Sequence, residues 1–112
     1  TRSNWRNYGL RNRAAQSRRR RALVLKRVPD DELCRVAEAA RTIKRFLTDE
    51  YVREVIENLR HEYYRKWEQS PPSAADERER VYAKMRALND LIRALQSRAD
   101  MGEVALQELN RR

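Results

Sequence analysis

"SPPSAADERERVYAKMRALNDLIRALQSRA" (residues 70–99) contains both a stop and a start. Val81, Met85, Leu88, Ile92, Leu95 and Ala99 recur at spacings of 4, 3, 4, 3 and 4. That period places them in one stripe along an α-helix. Ahead of the stripe stand Ser70, Pro71 and Pro72. A residue that precedes proline is pushed out of the α region, so Ser70 must end any helix before it. Ser73 with Asp76 reads as a capping pair that opens the next helix. The predicted helix covers residues 73–101. Gly102 stands near its close, and residues 102–112 form a C-terminal tail in which a further short helical piece fits.

Working backwards, Val52, Val55, Ile56, Leu59, Tyr63 and Trp67 stripe a helix over residues 48–69, with Thr48 as its N-cap and Asp49 and Glu50 in its first turn. A connection this short makes the two helices antiparallel neighbours. The expected seam sets Val52, Ile56, Leu59, Tyr63 and Trp67 against Val81, Met85, Leu88, Ile92 and Leu95. At 1.5 Å per residue the rods are roughly 30 and 42 Å long. Tyr82 and Leu91 widen the second stripe, and that surplus calls for a cover: the front helix, a sister subunit or a larger assembly. The front helix is predicted over residues 29–47, opened by Pro29 with Asp30 or Asp31 as cap. Its stripe is Leu33, Val36, Ala40, Ile43 and Leu47, and Ala37 and Ala39 keep it thin enough for a close helix approach.

Only Gly9, Gly102 and three prolines punctuate the 112 residues, which argues against a β design. The expected fold is all-α: an antiparallel helical hairpin with a shorter preceding helix, together forming a body over residues 29–112, and an extended basic N-terminal arm over residues 1–28. Such a body is small for a lone core, so several copies or a docking partner are expected.

The arm is set apart by charge. Residues 1–28 hold ten Arg and Lys side chains and no Asp or Glu, whereas residues 29–112 hold 16 basic and 17 acidic ones. The formal net charge of +9 therefore belongs to the first quarter of the chain. Blocks of like charge repel themselves, stay open and serve as interaction tails. Arg2, Arg6, Arg11, Arg13, Arg18, Arg19, Arg20, Arg21, Lys26 and Arg27 offer phosphate contacts, and Trp5 and Tyr8 offer stacking surfaces between them. With a near-neutral body and no recognition helix at a tight glycine turn, backbone binding is expected rather than base readout. Acidic protein surfaces would suit the same arm.

Catalysis has little to build on. His61 is the only histidine and lies among charged residues, as a solvated side chain would. Cys34, the only cysteine, reads as a small, partly buried hydrophobe and excludes both an intrachain disulfide and a multi-cysteine zinc site. The carboxylates lie along helix faces near basic residues, as Glu57 does four residues after Arg53. No phosphate-binding glycine loop and no metal-ligand spacing occur, so no cofactor or metal is expected and the chain is read as a non-enzyme. No apolar run approaches the roughly 18 residues that span a bilayer. The N-terminus has no signal-peptide pattern. The arginines do not gather on one helical face, so no membrane partner is expected.

Residues 46–105 resemble small helical-hairpin proteins encoded among the head and packaging genes of tailed bacteriophages. The resemblance lies in "LTDEYV" (47–52), the stop from Trp67 to Pro72, "ERERVYAKMRAL" (77–88) and "MGEVA" (101–105). It implies a structural component of a phage particle in the head, portal or connector region, assembled in the host cytoplasm and resident in the virion. Portal, capsid or neighbouring copies would then be its protein partners. Two other roles fit the same features: a small terminase-like subunit in DNA packaging, or a ribonucleoprotein component whose arm threads RNA.

Overall fold

The computed structural model describes Gln16 and residues 18–112. Within them the chain is helical, without strands: α1 over residues 18–25, α2 Asp30–Thr48, α3 Glu50–Gln69 and α4 Ala75–Arg111. It divides into two compact units. One gathers the described residues up to Arg41 with Ala99–Arg112; the other is Thr42–Arg98. α2 and α4 each contribute residues to both.

In the first unit, α1 ends in a turn closed by the Val28 amide on the Leu25 carbonyl (3.2 Å). Pro29 then presents its carbonyl to the Leu33 amide (3.0 Å), and Asp30, Asp31 and Glu32 fill the first turn of α2, where carboxylates face the positive end of the helix dipole. Leu25, Leu33, Val104 and Ala105 form the buried core, flanked by Ala22, Val28, Val36, Met101 and Leu109. Leu33 is fully covered. A leucine buried to that degree contributes about 1.5–3 kcal/mol.

This packing corrects two sequence expectations. The stretch 18–25 of the basic arm is helical rather than extended, because Leu25 has a place in the core. Residues 102–112 continue the long helix to Arg111 rather than forming a tail. Gly102 does not stop that helix because it never adopts the positive φ of a glycine cap. Its hydrogen serves a different end: a Cβ built at Gly102 would lie 1.9 Å from the Ala40 Cβ. α2 and α4 therefore touch at Ala40 and Gly102 with no room for a side chain between them.

In the second unit, the Thr48 hydroxyl donates to the Lys44 carbonyl (2.8 Å) and so turns back into α2. The expected cap of α3 thereby moves one residue on. Asp49, with extended backbone (φ −64°, ψ 130°), accepts from the Val52 amide at Oδ1 (3.1 Å). α3 ends where the Ser70–Pro71 step requires it. Ser70 is extended (φ −69°, ψ 133°), and its amide donates to the Lys66 and Trp67 carbonyls. The Ala74 amide closes the turn on the Pro71 carbonyl (2.9 Å), and α4 starts at Ala75. Ser73 stands too early to cap it; Asp76 and Glu77 occupy its first turn instead.

Val81 is buried, and Val52, Ile56, Leu59, Tyr63, Trp67, Met85, Leu88, Ile92 and Leu95 are half-buried. Tyr82 and Leu91, beside the α4 stripe, are exposed, and so is Val55, which falls outside the α3 stripe expected to include it because it lies a helical step away from Val52 and Ile56. Cys34 is exposed on α2, not partly buried, because it lies beside Leu33 rather than on the inward stripe.

Candidate nucleic-acid interface

Arg2, Trp5, Arg6, Tyr8, Arg11 and Arg13 lie outside the described residues. The remaining basic side chains of the N-terminal region fall on α1 and on the turn that follows. Arg18, Arg19 and Arg20 are exposed on α1, and Lys26 and Arg27 are exposed in the turn. Arg21 is different: it is half-buried and its Nη1 lies 3.7 Å from Asp100 Oδ2 on α4. That pair links α1 to α4 within the unit, although with Asp100 largely exposed it contributes at most about 1 kcal/mol.

A helix advances 100° per residue, which sorts α1 into two faces. Ala22 and Leu25 point into the core and Arg21 flanks them. Arg19, Arg20, Leu23 and Val24 occupy the opposite arc. Leu23 is 62% exposed and Val24 69%. The outward face thus mixes guanidinium groups with bare aliphatic surface, and α1 carries no acidic residue.

A second cluster holds the base of α1 in place. Arg112 Nη1 pairs with Asp30 Oδ1, and its Nε donates to Glu108 Oε1 (3.4 Å). Its Nη2 donates to the carbonyls of Leu25 (3.4 Å) and Lys26 (3.1 Å). One guanidinium therefore joins the end of α1, the start of α2 and the end of α4. Its pKa is raised above the usual arginine value, chiefly by the hydrogen bond to Asp30 and also by Glu108, against an opposing effect of burial. The group is a fixed cation that is already paired, not one available to a ligand.

Sequence reasoning missed Leu25, Gly102 and Arg112 as positions of consequence. For Leu25 a signal exists: Ala22, Leu25 and Val28 recur every third residue ahead of Leu33. For Arg112 nothing local signals the clasp, since Asp30 is far away along the chain.

His61 is exposed on α3. Among the described residues no three His, Cys, Asp or Glu side chains gather as a metal site would require. None of the described helices is long and apolar enough to cross a membrane. No protein-family model, curated protein or solved structure matches the chain.

Proposed function

We propose that the chain is a non-enzymatic structural component of a tailed-phage particle, acting in the head, portal or connector region. In this reading α3 and α4 form an antiparallel hairpin that docks on portal, capsid or neighbouring copies. The arginine-rich N-terminal region grips DNA phosphates or a neighbouring subunit. Charge segregation carries the reading: ten cations and no anion over residues 1–28, against a near-neutral remainder. A globular surface intersperses its charges, whereas a segment of one sign is suited to a polyanion and releases condensed counterions on binding.

Contacts across the Pro-Pro turn support the hairpin. The Arg78 guanidinium sits 4.5 Å from the centroid of the Trp67 ring, and its Nη1 donates to the Ser70 carbonyl (3.3 Å). A cation over an indole contributes about 0.5–2 kcal/mol, enough to hold the first turn of α4 against the last turn of α3. The half-buried stripes of both helices support it too.

Mass spectrometry of the purified native particle tests the proposal. The chain is expected in stoichiometric amounts in the finished virion. Presence in the infected lysate but absence from the particle would point to a packaging subunit that departs, and copurifying RNA would point to a ribonucleoprotein.

A further inference from the structure

We propose that the outward face of α1 docks on the first two turns of α3 of a second copy of this chain, head to tail. This deepens the structural reading above by assigning the helical part of the basic region to a neighbouring copy; the arginines before it are left for nucleic acid.

Two exposed surfaces match. On α1, Arg19 and Arg20 stand one turn ahead of Leu23 and Val24 on the same arc, and neither arginine has an ion pair among the described residues. On α3, Glu50, Tyr51, Glu54 and Val55 share one arc of the helix, turned away from the half-buried stripe. Tyr51 is 79% exposed and Val55 57%. Glu50 and Glu54 also have no ion pair among the described residues. Each surface is about one and a half turns long, roughly 8–9 Å. Each sets two like charges beside two bare apolar side chains, and the charges are opposite in sign.

Nucleic acid would use the arginines of α1 but leave Leu23 and Val24 facing water. A copy of the chain uses all four side chains. Complementary charge fixes register and excludes like faces, while the apolar pair supplies burial. The two surfaces differ, so the contact is heterologous and repeats from copy to copy. A patch of this size belongs to the small, weak class of interfaces and is effective through repetition.

Charge reversal tests the pairing. One variant carries Arg19→Glu with Arg20→Glu; the other carries Glu50→Arg with Glu54→Arg. All four positions are exposed, so circular dichroism should report unchanged helix. Sedimentation equilibrium of nuclease-treated full chain is run at roughly 100 µM, suited to weak contacts. The native chain should associate, and each variant alone should associate at least about tenfold more weakly. An equimolar mixture should regain association, because each reversed face then meets its complement on the other variant. A native chain that stays monomeric overturns the proposal, as does a mixture that stays dissociated. Association indifferent to both reversals places the contact elsewhere and also overturns it. No nucleic acid is present, so the polyanion reading stands or falls separately.

Discussion

Gly102 and Ala40 show how one atom decides the approach of two helices. Replacing a helical glycine by alanine ordinarily stabilises a helix by about 1 kcal/mol. Here the new methyl would sit 1.9 Å from the Ala40 Cβ, and the contact also involves the Ala40 Cα at 3.4 Å. Nothing flexible stands in the way to yield, so the helices must separate; overpacking of this kind costs about 1–3 kcal/mol. Gly102→Ala should therefore lower the melting temperature despite its better propensity. Ala40→Gly in the same chain should recover part of the loss, a coupling that a double-mutant cycle reads directly. A higher melting temperature for the single variant would mean that the helices do not touch there. Leu33→Ala removes the fully buried side chain of the same unit and should cost about 2–5 kcal/mol in a denaturant titration. Arg112 works differently. Its raised pKa keeps the guanidinium charged through neutral pH, and that charge is lost only as pH rises past the ordinary arginine range, so the contribution of the cation to the clasp is fully present at neutral pH. Arg112→Ala should loosen α1 at neutral pH, read as faster amide exchange at residues 18–28.

At the scale of elements, α1 is the piece whose role the structure changes. A cut after residue 28 removes Leu25 from the core and deprives Arg112 of two carbonyl partners. A cut after residue 17 leaves both. The shorter deletion should melt close to the full chain, and the longer one several degrees lower, by circular dichroism at 222 nm. Equal melting for both would show that α1 contributes nothing to the first unit. The contrast explains what the sequence discloses. The end of α3 is legible because Pro71 dictates it locally through Ser70, and the acidic starts of α2 and α3 are legible for the same local reason. Even there the cap slides from Thr48 to Asp49, since either side chain suits the role and only the hydrogen bonds decide. The continuation of α4 past Gly102 is not legible. A glycine near a helix end reads as a stop, and only its contact with Ala40 reveals the other use. The burial of Leu25 is hidden likewise, because four neighbouring arginines make its segment look like open chain.

For the molecule as a whole, the separation of charge is the feature that any function must answer to. The part of the basic region outside the described residues, with Arg2, Arg6, Arg11 and Arg13 around Trp5 and Tyr8, was readable only as composition. Each arginine that meets a phosphate releases condensed counterion, so the logarithm of affinity falls with the logarithm of salt at about −0.9 per contact on duplex DNA. Trp5→Ala should weaken single-stranded DNA more than duplex, since a stacked base is worth about 1–3 kcal/mol and a duplex offers none unpaired. A fluorescence-anisotropy competition between the two forms measures it. Whether the N-terminal region binds polyanions through their phosphates is decided by one titration: full chain against random-sequence duplex DNA at several salt concentrations. With four or more contacts, affinity should fall roughly a hundredfold or more between 50 and 200 mM salt. Unrelated sequences should follow the same line, and serine at Arg2, Arg6, Arg11 and Arg13 should flatten it. No binding at low salt, or binding indifferent to salt, would contradict the claim and give the region to a protein partner instead.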